Sequence, residues 1–240
     1  MNNLFLNRII IDWSRIEADS YLRQIDALQG LTALELTNPV TFFAGENGSG
    51  KSTLLEAIAI ASGFNPEGGS RNYAFSTYDS HSPLCDAIRL SRGVLRPDWG
   101  YFLRAESFYN VATAEEEYAH SGGYSRHFHQ RSHGEGFLTL VEDEFRENGL
   151  YFLDEPEAAL SPQSQLTLLL EIHRCAQRGA QFLIATHSPI LLGLPGAEIL
   201  RFDDGPIHSC RYEETDSYLV TSMFLNRREQ VLKHLFSDEL

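Results

Sequence analysis

Apolar residues recur along this chain in two rhythms. Short runs bounded by Gly, Asn, Asp or Pro read as buried strands, and longer runs mixed with helix formers read as helices. Residues 8–12 and 33–36 read as early strands, and 40–44 as a buried strand running straight into a Gly-rich loop. A helix rich in Leu, Ala and Ile follows over 53–62, and the Gly, Asn, Pro and Ser of 63–70 break regular structure. A strand over 101–105, a short acidic helix over 113–120, a polar loop over 121–133 and a helix over 136–147 come next. The last third is clearer, with strand 150–153, helix 162–177, strand 181–185, short strands near 199–202 and 207–212, and a closing helix over 218–236. Strands alternating with helices predict an α/β fold, a mostly parallel sheet covered by helices on both faces.

At 240 residues the chain can bury one substantial core carrying a smaller insertion. One domain is expected: N-terminal strands and the Gly-rich loop in 1–62, an inserted lid in 63–145, the rest of the sheet in 146–215 and a C-terminal helix in 216–240. The stretch from Lys51 to Ser132 is too short and too free of heptads for a long coiled-coil arm.

The loop after the strand at 40–44 carries the first chemistry. Gly45-Glu46-Asn47-Gly48-Ser49-Gly50-Lys51-Ser52 fits GxxxxGK[ST] without a mismatch, with a buried strand before it and a helix from Thr53 after it. Glycines let backbone N–H groups turn inward around a β-phosphate, and the helix start adds its positive dipole end. Lys51 is placed to reach the β- and γ-phosphates of ATP, and the Ser52 hydroxyl to ligate Mg²⁺. A second acidic element follows in Leu150-Tyr151-Phe152-Leu153-Asp154-Glu155, a buried strand delivering two carboxylates to the sheet edge where the phosphate loop also lies. Asp154 is expected to hold Mg²⁺ through its water shell. Glu155, pointing the other way by strand alternation, is expected to activate the attacking water. His187 follows a third apolar strand and reads as a γ-phosphate sensor.

Composition narrows the class. Nineteen Lys and Arg against 33 Asp and Glu give a net charge of −14, opposite to a phosphate-backbone binder, so nucleic-acid contact has no support from charge. Cys85, Cys175 and Cys210 are odd in number and unpaired by spacing, which suits a reducing cytoplasm rather than a disulfide framework. No stretch approaches the length of a membrane span.

These motifs resemble the ABC-class P-loop ATPases, in particular the soluble, non-transporter branch of SMC, RecF and OLD-type proteins, and at a finer grain the small bacterial AAA-family ATPases of ABC type. The resemblance implies a Walker A at 45–52, a Walker B ending in Asp154 and catalytic Glu155, and a switch histidine at His187. Arg131-Ser132-His133-Gly134-Glu135 answers the family's LSGGQ or LSGGE signature at Ser132, Gly134 and Glu135 and departs at the other two positions. Ser161 stands where a D-loop Asp is usual, and Glu106 where a Gln binds Mg²⁺. For the adenine-stacking aromatic, Tyr21 and Trp13 are the candidates. ATP and Mg²⁺ are the implied ligands, and an ATP-dependent homodimer, with ATP between one cradle and the other signature, is the implied working form. An unidentified protein partner receives its output, in DNA repair or defence. The alternatives are a nucleotide-binding subunit of an ABC transporter, a P-loop small-molecule kinase and a non-hydrolysing nucleotide sensor.

Three features stand outside this set. His127, His129 and His133 have an HxHxxxH spacing but read as solvated loop histidines. Arg71, Arg89, Arg92, Arg96 and Arg104, with Arg126 and Arg131, read as phosphate neutralisation and surface pairing, or as a partner or nucleic-acid surface. The closing helix, with Leu219, Val220, Met223, Phe224, Val231, Leu232, Leu235 and Phe236, is expected to pack on the sheet, with dimer or partner contact as the alternative.

Overall fold

The computed structural model describes residues 4–71, 82–105, 133–203 and 205–237. In chain order its elements are β1 (Leu6–Ile11), β2 (Ala33–Glu35), β3 (Val40–Ala44), α1 (Lys51–Ala61), β4 (Gly69–Ser70), α2 (Leu84–Ala87), β5 (Ile88–Arg92) and β6 (Trp99–Arg104). Then follow α3 (His133–Glu144), β7 (Gly149–Asp154), α4 (Pro162–Gln177), β8 (Gln181–Ala185), α5 (Pro189–Leu192), β9 (Glu198–Arg201), β10 (His208–Ser209) and α6 (Asp216–Leu235).

Alternation along β7 explains the layering. Leu150 and Phe152 point into one core with Leu54, Leu55 and Ile58 of α1, while Tyr151 and Leu153 point into a second with Phe137 of α3 and Leu168 and Ile172 of α4. Because a strand sends successive side chains to opposite faces, a run of six buried residues needs cover on both sides, and the helices supply it. β8 obeys the same rule, Leu183 facing α1 and Phe182 and Ile184 facing α4. The sheet order is β10-β9-β3-β8-β7-β6-β4. β9, β3, β8, β7 and β6 run parallel, and β10 and β4 close the two edges antiparallel. The expected fold class is therefore the observed one.

Two features escaped the pattern. β1 and β2 belong to a separate antiparallel sheet of order β2-β1-β5, whose third strand, β5, has only one buried residue in five and so no apolar run to announce it. Gln181 joins the sheets from within the core: its carbonyl accepts from the N–H groups of Phe5 and Leu6 at 2.9 Å each, and its amide donates to Leu6 O at 2.9 Å. The described strands of 63–145 lie in these sheets, since β4 and β6 pair in the large one and β5 in the small one. The helix expected over 113–120 lies outside the described residues.

The closing helix corrects the expectation. α6 has no buried residue and breaks at Arg227 (φ −134°, ψ 34°), so it does not pack on the sheet. No described helix is long and apolar enough to cross a membrane.

Candidate functional site

The parallel strands end on one edge in register. Arg104 pairs with Asp154, Asp154 with Ala185, Ala185 with Phe43, and Ala44 with Arg201. The loops leaving β3, β6, β7, β8 and β9 therefore converge, as ligand sites of open α/β sheets do.

The loop from Gly45 to Gly50 leaves β3 with Gly45, Gly48 and Gly50 all at positive φ, and two of these positions have no room for a side chain. A Cβ on Gly45 would lie 2.9 Å from the Asp203 carboxylate, and one on Gly50 2.6 Å from Ile25. Gly50 ends the loop in the left-handed region, and α1 begins at Lys51 with its first-turn N–H groups, Thr53 included, lacking intrahelical acceptors. Lys51 is buried and closes the loop on itself, its Nζ donating to Gly45 O at 2.7 Å and Glu46 O at 2.8 Å. Burial pushes its ammonium pKa down, and the nearby Glu155, Asp203, Asp154 and Glu157 carboxylates oppose that shift. Ser49 Oγ is buried without a hydrogen-bond partner, a donor that nothing in the loop uses.

Ser52 Oγ donates to Asp154 Oδ1 at 2.7 Å, joining the start of α1 to the end of β7. A hydroxyl and a buried carboxylate so placed fit a Mg²⁺ ion, which takes one or two protein oxygens and fills its shell with water and phosphate. Among the described residues no group of three His, Cys, Asp or Glu could hold a metal by itself. Of the HxHxxxH histidines, only the backbone of His133 is described.

Glu155 lies just past β7, not on it. Its backbone is left-handed (φ 48°, ψ 50°), a conformation costly for a residue with a side chain, and its N–H donates to Ala185 O at 2.9 Å. This turn, and not strand alternation, aims the carboxylate at His187, whose Nε2 lies 3.6 Å from Glu155 Oε1. His187 is fixed from below: its backbone N–H donates to Glu157 Oε1 at 2.6 Å, and its Nε2 is buried with no hydrogen-bond partner. Two side chains with unspent hydrogen-bonding capacity thus face one gap beside the cradle.

A cleft of about 770 Å³ opens next to the loop, lined by Tyr21, Gln24, Ile25 and Asp26 on one side, 46–49 on its floor, and Phe202, Asp203 and Asp216 on the other. That volume suits a base and ribose. Tyr21 lies at this cleft. Trp13 does not line it, and instead its indole N–H donates to Leu31 O at 2.8 Å beneath the Arg23 guanidinium.

Glu46, Asn47 and Gly48 are exposed on the loop. Gly134 and Glu135 fall in the first turn of α3, which starts three residues before the predicted helix, and a Cβ on Gly134 would lie 3.4 Å from Ala159 O. Ser132 and Glu106 lie outside the described residues.

Two residues gain a place in the site, Arg104, read as phosphate neutralisation or surface pairing, and Asp203, which the sequence did not single out. Arg104 is not surface charge: Nη1 meets Glu56 Oε2 of α1 at 2.7 Å and Nε lies 3.6 Å from Asp154 Oδ2. Asp203 accepts from Glu46 N–H at 2.8 Å, and Arg201 lies between it and Asp216, 3.8 Å from the former and 2.9 Å from the latter. Their signal was position alone, the ends of β6 and β9 on the edge that the phosphate loop already marks.

Comparison with known proteins agrees with this geometry. Residues 21–90, from the cleft to β5, match a family model described as "AAA domain". Residues 129–193, from α3 through His187, match one described as "AAA domain, putative AbiEii toxin, Type IV TA system". Both models are of AAA domains, and the stretches they match carry the loop at 45–52, Asp154, Glu155 and His187. The chain's function is P-loop nucleotide binding of the ATPase type. Among solved structures, the chain is 14% identical to the SMC head domain from Thermotoga maritima over 87% of this chain and 99% of that one, with a TM-score of 0.46. It is 18% identical to the ADP conformation of an ATP-binding cassette of an ABC transporter over 97% and 98%, with a TM-score of 0.48. No curated protein sequence matches the chain.

Proposed function

We propose that the protein hydrolyses ATP, with Glu155 activating the attacking water and His187 orienting it against the γ-phosphate. The observation that carries this reading is the pairing of two contacts at one sheet edge: Ser52 on Asp154 at 2.7 Å, and Glu155 facing His187 at 3.6 Å. The first supports a shared metal-ligating role for the two oxygens, and the second supports a base and a polar orienting group acting together.

Lys51 and the N–H groups of the loop and first turn bind the phosphates, and Lys51 exchanges its loop carbonyls for phosphate oxygens. Ser52 and Asp154 hold Mg²⁺, which when bound neutralises phosphate charge. Arg104 orients the Asp154 carboxylate. Glu155 accepts the proton of water, and Tyr21 stacks on the base. Gly134 and Glu135, with Ser132, serve the nucleotide of a second protomer, so that ATP binding joins two chains and hydrolysis releases them into a cytoplasmic assembly with a protein partner. The transporter subunit remains the second reading, and the missing D-loop Asp at Ser161 weighs against it.

The test is Glu155→Gln. Turnover falls about 10²- to 10⁴-fold, the range for removing a general base, while ATP affinity holds and light scattering shows a dimer with Mg-ATP. Unchanged turnover would remove Glu155 from the reaction. Turnover lost without dimer formation would keep the hydrolytic reading and end the paired one. Lys51→Ala weakens ATP binding itself, and an unaltered affinity would sink the cradle assignment.

A further inference from the structure

Glu157 is the acid beside the site that the hydrolytic reading leaves unused, and it stands where the ladder of β8 runs out. On the β3 side the ladder ends at Thr186, whose N–H donates to Phe43 O at 3.2 Å. On the β7 side its last rung is Glu155 N–H to Ala185 O at 2.9 Å. The next rung in this parallel register would run from His187 N–H to the Glu155 carbonyl. That carbonyl is turned away by the left-handed backbone of Glu155 and accepts instead from Ala158 N–H at 3.0 Å. A backbone donor leaving a ladder needs another acceptor, and Glu157 Oε1 supplies it at 2.6 Å, a short charge-assisted bond. The amide nitrogen is bonded to the Cα that carries the imidazole, so this bond fixes where the His187 ring begins.

Glu155 and Glu157 belong to one stiff element. Glu155 caps the short 3₁₀ turn Pro156–Ala159, Pro156 locks its first φ, and Leu160 N–H closes it on Glu157 O at 3.0 Å. The base is therefore at one end of a turn whose other end grips the backbone of His187. At 3.6 Å Glu155 Oε1 and His187 Nε2 are too far apart to hold each other by a hydrogen bond, so their separation is set by this grip. The rest of the loop is secured without Glu157. Ser188 N–H donates to Thr186 Oγ1 at 3.0 Å, and Ser188 Oγ caps α5 while donating to Gln165 Oε1 at 2.6 Å. Glu157 Oε2 is buried with no hydrogen-bond partner among the described residues, so one oxygen carries the tie, and the amide oxygen of a Gln can carry it too.

We infer that Glu157 is a positioning residue for hydrolysis: it sets the distance between Glu155 and His187 by holding the His187 backbone, and acts on the reaction only through that ring. Its catalytic consequence rests on the hydrolytic reading; the contact itself does not.

Steady-state ATP turnover of the full chain tests it. Glu157→Ala lowers kcat about 10- to 100-fold, the loss that a displacement on the order of 1 Å brings, and leaves KM nearly unchanged because the phosphate loop is intact. Glu157→Gln keeps the acceptor at the same reach without the charge and recovers most of that loss. Glu157→Asp keeps the charge, withdraws it by one bond length out of hydrogen-bond range, and stays near the Ala variant. In a His187→Ala background Glu157→Ala costs little more, since the ring it acts through is already gone. Hydrogen exchange at the His187 amide, read without nucleotide, is slow in the unaltered chain and in Glu157→Gln, and about tenfold or more faster in Glu157→Ala and Glu157→Asp. A Gln variant as inactive as the Ala one, an Asp variant as active as the unaltered chain, or a full additive loss on top of His187→Ala overturns the positioning role. So does an amide that exchanges equally fast with and without the Glu157 carboxylate. If Glu155→Gln turns over normally, the hydrolytic reading falls, and exchange still decides whether Glu157 holds His187. If Glu155→Gln is inactive while Glu157→Ala is fully active, the positioning role alone is overturned.

Discussion

Strand β7 and helix α6 are built from the same kinds of side chain and have opposite fates. All six residues of β7 are buried, and none of the 20 in α6 is. The difference lies in what surrounds them. β7 has a parallel neighbour on each side, β6 and β8, and a helix layer over each face, so every side chain it projects finds apolar atoms. α6 begins against α5 and a short turn, and no residue along its length is buried. Hydrophobicity sets how much burial would stabilise a residue, and topology sets whether burial is on offer.

The comparison can be broken first at Phe152. Its ring lies at the centre of the α1-side core, 5.4 Å from Phe64 and 6.3 Å from Phe102, and Phe152→Ala is expected to cost about 3–5 kcal/mol by denaturant unfolding. Gln181→Ala comes next. It strands two buried N–H groups and one carbonyl on the N-terminal segment, an expected loss of about 2 kcal/mol or more. Leu225→Ala, at a side chain 73% exposed, is expected to change the unfolding free energy by less than about 0.5 kcal/mol under conditions where the chain is monomeric. A large loss at Leu225 would mean that α6 packs on the body after all.

That ranking also measures what could be read before any coordinates. β3, α4 and β8 have the bounds their sequence predicts, because each is an uninterrupted apolar or periodic run between clear stop signals. The cradle was legible from a contiguous motif, and Asp154 from its place at the end of a buried run. β5 was not legible: Arg89, Ser91 and Arg92 mask a strand whose pairing with β1 depends on long-range contact. The turn at Glu155 was misjudged because alternation holds within a strand and says nothing past its end. Arg104 was read only as one of several arginines and Asp203 not at all, since an Arg and an Asp acquire a specific place only when sheet order brings β6 and β9 to the edge shared with the cradle. The closing helix failed for a different reason: an amphipathic pattern reports an apolar face and not the identity of what covers it.

The smallest expected effect is a proton, and it tests the cradle from within. Burial lowers the Lys51 pKa below the ordinary 10.5, while nearby carboxylates only partly oppose the shift. The unfolded chain therefore binds more protons at this site in the window between the lowered value and 10.5, and Lys51 contributes stability that rises with pH across that window. ATP reverses the balance. Phosphate oxygens favour the ammonium form and raise its pKa, so binding takes up a fraction of a proton once the pH approaches the unbound value from below. Calorimetry of ATP binding at fixed alkaline pH, in two buffers of different ionisation enthalpy, reads that uptake directly. It should grow as pH rises from neutrality and fall again when the bound form also loses its proton. If ATP binds tightly with no uptake anywhere in that range, Lys51 does not meet the phosphates, and the loop carbonyls of Gly45 and Glu46 are its partners in both states.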